Sequence, residues 1–190
     1  MRNRRIVGSV VAAVAASGFM VAMASDFVGV KSCKMCHKKD DTGNQFNVWQ
    51  AGPHAKAFET LGTAEAKAAG AKVGVADPQH SGKCLKCHST AYNWTEQSQT
   101  EKIPVEEGVS CESCHGAGSD YKSKETMQSR DKSVAGGMVY PATKNCVKCH
   151  NAESPSWNPE RYTTKDGKKV GFDVDLAFEK VKHPDSSVKK

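Results

Sequence analysis

A five-residue pattern, Cys-x-x-Cys-His, occurs four times in this 190-residue chain and constrains its fold more than any other feature. Two cysteines at this spacing lie on one helical turn, where each thiol can add to a vinyl group of a haem while the next residue, histidine, ligates the iron. The four copies begin at Cys33, Cys84, Cys111 and Cys146 and together use all eight cysteines of the sequence. No thiol is therefore left for a structural disulfide or for a nucleophile.

The pattern predicts four covalently bound haem c groups. Their thioether bonds would be made by Cys33, Cys36, Cys84, Cys87, Cys111, Cys114, Cys146 and Cys149, and their proximal iron ligands would be His37, His88, His115 and His150. Zinc sites and thioredoxin-like redox pairs also use Cys-x-x-Cys. They give no reason for a histidine directly after every second cysteine, and four such matches in one short chain exceed what chance provides.

Residues 1–24 are typical of a secretory signal peptide. Three arginines precede an uncharged run from Ile6 to Ala24, which closes on Ala22-Met23-Ala24, an A-x-A cleavage pattern. An uncleaved membrane anchor is the alternative, but the run is rich in alanine, glycine and serine. We therefore expect a mature chain of residues 25–190 that has no stable membrane anchor and resides in the periplasm, or else at the cell exterior.

The formal net charge of +6 gives no support for nucleic-acid binding. It includes the signal arginines, and bound haems would add propionates, so we expect the mature holoprotein to be near neutral or mildly acidic. No lysine- or arginine-rich run occurs before Lys189-Lys190. Lysines next to the motifs are either solvated surface groups or groups that offset propionate charge and steer an acidic redox partner.

The size of the chain favours one domain wrapped around a haem cluster. About forty residues per haem are too few for four separate haem domains. With only 7% aromatic residues and a mean hydropathy of −0.58, the polypeptide has a thin core unless the haems supply it. The predicted fold is mainly α, a single multihaem cytochrome domain with short helices and long ordered loops around four packed haems.

Glycine and proline mark the ends of the predicted helices. Gly52 ends the first helix, Pro53 suits the start of the second, and Pro184 follows the last. The sequence predicts helices at residues 46–51, 54–61, 63–70 and 173–182, and ordered loops at residues 89–109 and 116–143. No alternating Val/Ile-rich run predicts a sheet.

Residues around the motifs, as well as the motifs themselves, carry a resemblance to a known family. They are Ser32–His37, Trp49 with His54–Ala57, Gly108–Gly118, Cys146–His150, Ser154–Trp157 and Phe172-Asp173. In these stretches the chain resembles the tetrahaem cytochrome c-554 family of exported multihaem cytochromes. The resemblance covers most of the mature chain. It implies a mainly helical single domain with haems packed in pairs, mostly bis-histidine iron, and a role in passing electrons between partner proteins.

Three histidines remain for four distal iron positions, namely His54, His80 and His183. At least one haem must therefore be five-coordinate, use another ligand such as methionine, or borrow a histidine from a neighbouring chain. The resemblance implies that His54 ligates the third-motif haem and that His183, at the end of the last helix, reaches another haem. His80 has no clear counterpart in the family. We predict that it ligates a neighbouring haem, with a surface histidine as the alternative.

The sequence departs from the family pattern after the third motif. The family has a further histidine ligand there, whereas this chain has Glu125. Met127 is a candidate replacement that would raise the potential of its haem relative to bis-histidine neighbours, and a packing role is the alternative. The family also carries a five-coordinate haem at its second motif, which implies an open iron at His88.

We predict an electron-transfer protein, not an enzyme, that passes electrons between redox partners outside the cytoplasm. Most iron positions would be filled, which leaves little room for a substrate. One alternative is an enzyme or enzyme subunit that reacts a small nitrogen or oxygen species at a five-coordinate haem, and another is a subunit of an extracellular cytochrome polymer. The partners would be donor and acceptor redox proteins, and the chain itself would be a monomer or would self-associate.

Overall fold

The structure is a computed structural model that describes residues 25–185. The predicted signal peptide, residues 1–24, and the terminal Lys189-Lys190 lie outside the described residues. Within residues 25–185, no helix is both long enough and apolar enough to cross a membrane.

Short helices make up most of the regular structure. The α-helices of the described residues are α1 (Val30–His37), α2 (Gln45–Ala51), α3 (Ala57–Thr60), α4 (Ala64–Ala71), α5 (Gly82–His88), α6 (Cys111–His115), α7 (Lys124–Met127), α8 (Arg130–Ala135) and α9 (Val174–Val181). Turns of 3-10 helix lie at Asp40–Thr42, His54–Lys56, Pro78–His80, Thr90–Tyr92, Val105–Glu107 and Ala142–Lys148. Strands β1 (Tyr162–Thr163) and β2 (Lys169–Val170) form an antiparallel pair, with Tyr162 opposite Val170. The prediction of a mainly α fold is confirmed.

Capping residues place several helices close to their predicted positions. α2 ends at Gly52, as the sequence predicts. α4 begins after Thr63, whose hydroxyl accepts a hydrogen bond from the Ala66 N–H. α9 begins after Asp173, whose carboxylate accepts a hydrogen bond from the Leu176 N–H. Each cap satisfies an N–H group that has no partner within its own helix.

The structure differs from the sequence predictions in three places. The helix predicted at residues 54–61 is divided into a 3-10 turn and α3. The predicted loop at residues 116–143 contains α7 and α8, which begin after the capping residues Ser123 and Ser129. These helices have four and six residues, which is too short to display a helical period. The β1–β2 pair was not predicted, because strands of two residues have no alternating pattern.

Few apolar side chains are buried within the polypeptide itself. The larger ones in the described part of the chain are Phe46, Leu61, Leu85, Ile103 and Tyr121, and buried polar residues are as common as apolar ones. A domain that folds on side chains alone has a contiguous apolar core. The thin core agrees with haem groups as the main buried apolar material.

The carboxylate of Glu112 ties the N-terminal segment to the third motif. Glu112 is 1% exposed, and it accepts hydrogen bonds from the N–H groups of Val28 (3.0 Å), Gly29 (2.9 Å) and Gly118 (2.7 Å). The Glu107 carboxylate accepts a bond from the first N–H of α1 (3.1 Å), where negative charge is favourable. Two acidic residues thus hold α1, with the first motif, against α6, with the third.

We expect the Glu112→Gln substitution to lower the free energy of unfolding by about 2 kcal/mol, because a hydrogen bond to a charged acceptor contributes about 1.5–3 kcal/mol and an amide accepts through only one oxygen. Denaturant unfolding followed by circular dichroism measures the change. Glu106→Gln is the matched control, since Glu106 is exposed and lies in the same segment as Glu107. Equal unfolding midpoints for the two variants would contradict the role assigned to Glu112.

Candidate functional site

Each attachment motif lies on a helical turn. The first forms the C-terminal half of α1, the second ends α5, and the third is the whole of α6. The fourth begins within the 3-10 helix at Ala142–Lys148, in which residues three apart lie on the same side. Both kinds of turn place the two thiols of a motif on one side of the helix, as haem attachment requires.

Thiols of different motifs lie next to one another. Cys33 of the first motif interacts with Cys111 of the third, which lowers the pKa of Cys33 and raises the pKa of Cys111. In the same way Cys149 of the fourth motif lowers the pKa of Cys87, in the second, to about 7. Burial and, to a smaller extent, the charge of the fourth-motif thiol at residue 146 together raise the pKa of the third-motif Cys114 to about 11. These contacts join the first motif to the third, the third to the fourth and the fourth to the second.

An asparagine side chain fixes the junction in the middle of this row. Asn145 is buried and directly precedes the fourth motif. Its Nδ2 donates hydrogen bonds to the carbonyl oxygens of Ser113 (3.3 Å) and Cys114 (3.0 Å). The 3-10 helix that carries Asn145 packs against α6. The attachment helices therefore lie in the spatial order first, third, fourth, second, which differs from their order along the chain.

Hydrogen bonds orient the proximal histidines of the first and second motifs. Nδ1 of His37 lies 3.1 Å from Oε1 of Gln45, and Nδ1 of His88 lies 2.7 Å from the carbonyl oxygen of Ala57. Both oxygens are acceptors, so each Nδ1 carries the proton. Each Nε2 therefore keeps the lone pair that binds iron.

Burial keeps the proximal histidines of the third and fourth motifs neutral. Burial, together with the smaller effect of the neighbouring His183, lowers the pKa of His115 to about 4. It also lowers the pKa of His150, to which the neighbouring His54 contributes. Neutral imidazole is the form that ligates a metal ion.

Two further observations at these histidines fit a bound group. The ring of His150 stacks on Phe172, with centroids 4.6 Å apart, which restricts its orientation. Nδ1 of His115 is buried and has no hydrogen-bond partner in the described part of the chain. A buried polar atom rarely lacks a partner unless something else completes its site.

Two of the predicted distal histidines face a proximal histidine. The ring centroids are 6.1 Å apart for His54 and His150 and 5.9 Å apart for His115 and His183. Two imidazoles on opposite sides of one metal ion have centroids about 6 Å apart, because each metal–nitrogen bond is about 2 Å long. Burial also lowers the pKa of His54. Both pairs thus have the spacing of a bis-histidine iron site.

The pairing of His54 differs from the one that the resemblance implies. The resemblance puts His54 at the third-motif haem, but the structure places it beside His150 of the fourth motif. His183 instead lies beside His115 of the third motif. Position along the sequence does not determine this pairing, because each distal histidine reaches its partner through contacts between distant segments.

The other two predicted ligands have different neighbours. The side chain of His80 is 81% exposed, and its Nδ1 lies 2.8 Å from the carboxylate of Asp77. Sδ of Met127 lies 3.7 Å from the hydroxyl of Ser133, between α7 and α8. Iron ligation by His80 or by Met127 stays a prediction.

Several residues that shape the site have no recognisable signal in the sequence. Gln45, Asn145 and Glu112 bind a distant histidine or distant backbone groups, and no local pattern in the sequence marks such residues. Phe172 is among the residues that carry the family resemblance, and this was the only signal available for it.

The chain is similar to cytochromes of one family. The family model described as cytochrome c554 and c-prime matches residues 32–116. Cytochrome c-554 of Nitrosomonas europaea is 28% identical over 187 residues, an alignment that covers 87% of this chain and 77% of that protein. The solved structure of the reduced state of cytochrome c554 from the same organism matches with a TM-score of 0.52 and 25% identity, covering 82% of this chain and 79% of that chain.

The residues of the site fit haem c, which is the cofactor of these motifs. Each motif provides two thiols on one side of a helical turn and an imidazole for iron. The third and fourth motifs also have a second imidazole at the spacing that iron requires.

We expect His54→Ala to open the fourth-motif iron and no other. The ferric protein should gain one high-spin signal in its EPR spectrum, because one of two axial imidazoles is removed. Added imidazole should restore the low-spin spectrum, which separates ligand loss from misfolding. His183→Ala is the matched variant and should open the third-motif iron instead. An unchanged spectrum for His54→Ala would show that this residue is not a ligand.

Proposed function

We propose that this chain, as a member of the tetrahaem cytochrome c-554 family to which it is similar, is an electron carrier that holds four haem c groups and passes electrons between redox partner proteins outside the cytoplasm. The observation that carries the proposal is the continuous row of attachment helices, in which thiols of successive motifs interact. A carrier needs redox groups close together, and this row brings their attachment points together.

Each haem c supplies, when bound, an iron that changes between the ferrous and ferric states. The chain holds each ring edge through two cysteines and provides one proximal imidazole. His54 and His183 add a second imidazole at the fourth and third motifs. Filled axial positions at these two irons would leave no place for a substrate there, which favours a carrier over an enzyme.

The first-motif end of the row is exposed and rich in unpaired positive charge. Met35, which lies between the two cysteines of the first motif, is 70% exposed. The lysines around it are exposed as well: Lys31, Lys34, Lys38 and Lys39. None of these four lysines forms an ion pair with another described residue, although Asp40 and Asp41 follow directly in the sequence.

The second-motif end has a different charge pattern. Lys86, between its two cysteines, lies 3.2 Å from the carboxylate of Glu153 and 3.9 Å from that of Glu96. Its charge is therefore largely neutralised within the chain. We expect an acidic redox partner to dock at the first-motif end, because an exposed apolar side chain surrounded by unpaired lysines attracts an acidic surface.

Mass spectrometry tests the number of haems. The mature protein should have the mass of a chain that begins at Ser25 plus four haem groups, because every cysteine lies in a motif. Treatment with a thiol reductant should leave this mass unchanged. Three haems or fewer would contradict the proposal.

Charge reversal tests the docking surface. We expect the double variant Lys34→Glu/Lys38→Glu to be oxidised several-fold more slowly than the wild type by ferricyanide, an anionic oxidant, at low ionic strength. The difference should vanish at high salt. The control is Lys165→Glu/Lys168→Glu, which changes net charge equally on the exposed β1–β2 turn. Equal slowing of both variants in stopped-flow measurements would assign the effect to net charge and not to this surface.

A further inference from the structure

The structure divides the four proximal histidines into two groups. His115 and His150 each face a second imidazole at about 6 Å, the spacing expected on opposite sides of one iron. His37 and His88 have no such neighbour among residues 25–185, which include all seven histidines of the chain. The resemblance implies an open iron only at His88, so His37 requires an explanation of its own.

His183, the candidate distal histidine near the first motif, is directed to another partner. The Gln45 side chain that accepts the His37 proton donates through its Nε2 to the carbonyl oxygen of Pro184 (3.1 Å). The backbone of His183, the residue before that proline, therefore lies close in space to the first motif. Its ring nevertheless faces His115 of the third motif.

The remaining histidine lies at the opposite end of the row. His80 belongs to the 3-10 turn at Pro78–His80, which packs against α5 and therefore beside the second motif. Its Nδ1 is bound to Asp77. The first and second motifs are the two ends of the row, so no histidine of the chain is placed to face His37.

We propose that the first-motif haem, held by His37, has a sixth iron position that no histidine of this chain fills and that binds small exogenous ligands such as cyanide or nitric oxide. This site is additional to the open iron that the resemblance implies at His88. The first-motif helix lies at the surface of the protein, where Met35 is exposed. The inference rests on the proposed count of four haems.

Cyanide titration of the ferric holoprotein tests the proposal. We expect two equivalents of cyanide to bind per chain, with two high-spin irons in the EPR spectrum of the ligand-free protein. Haem content is measured on the same sample as the pyridine haemochrome. Four haems with no bound cyanide, or with one equivalent that variants of Gln45 leave unchanged, would overturn the inference and leave the proposed function intact, whereas fewer than four haems would contradict the proposed function.

Variants of Gln45 test whether one of the two bound cyanide equivalents lies at the first-motif haem. Gln45→Leu removes the acceptor of the His37 Nδ1 proton and should change the cyanide affinity of one equivalent by roughly tenfold, leaving the other unchanged. Gln45→Glu keeps an acceptor for the His37 proton. It should lower the reduction potential of the same haem, whereas Gln45→Leu should raise it. The control Thr60→Val alters the weaker neighbour of His88, at 3.5 Å, and should affect neither equivalent. If both Gln45 variants leave both equivalents unchanged, the second site is not at the first motif and the inference fails.

Two further variants and a dilution series identify any side chain that already occupies the position. If Met127→Ala raises the number of cyanide equivalents from one to two, Met127 ligates the first-motif iron and the inference is overturned. If His80→Ala does so, His80 ligates the second-motif iron beside which it lies, and the equivalent bound by the wild type belongs to the first motif, which supports the inference. A second equivalent that binds only at high dilution would mean that a neighbouring chain supplies the ligand, which also overturns it. Two equivalents in the wild type at every protein concentration, unchanged in both variants, support it.

Discussion

Contact between attachment helices that are far apart in the sequence is the constraint on which the rest of the structure depends. The polypeptide has a thin core, so its own apolar packing contributes little to the relative positions of these helices. Specific polar groups carry out this role instead. Glu112 and Glu107 bind the backbone at the start of α1, and Asn145 binds the backbone of α6. Removal of one such group leaves buried donors or acceptors without a partner, which costs more than the loss of a solvent-exposed bond.

The same packing determines the protonation of the histidines. An imidazole binds iron only when its lone pair is free, and burial disfavours the protonated form. Burial acts most strongly on His115, in the interior of the row, whose pKa falls to about 4. At the ends of the row His37 and His88 are only partly buried, and a hydrogen bond to a specific acceptor fixes the tautomer there. Burial in the interior of the row and hydrogen bonding at its ends thus both give a neutral imidazole that can bind iron.

Local chemistry of the chain explains which parts of the fold the sequence could predict. The cysteine motifs, the end of α2 at Gly52 and the start of α9 at Asp173 each depend on residues that are adjacent in sequence, and each was predicted. The pairing of His54 with His150 depends on two segments separated by about a hundred residues, and the resemblance alone implies a different partner. Contacts of this kind depend on tertiary packing, which neither spacing nor local propensity encodes.

α7 and α8 are helices that the sequence pattern did not predict. Each has a serine cap that could have been recognised, at Ser123 and Ser129. Neither is long enough to present a repeated apolar face, which is the primary signal for a helix. Short helices held by caps and neighbours are therefore the part of a thin-cored protein that sequence analysis is least able to predict.

The order of the motifs in space explains why the ends of the row differ from its interior. The third and fourth motifs each have another motif on both sides, and His183 and His54 would give their haems a second imidazole. The first and second motifs each have a neighbouring motif on one side only, and no second imidazole faces His37 or His88 among residues 25–185. Ligand binding at an end of the row would therefore alter the redox properties of a terminal haem while both axial ligands of the interior irons stay in place.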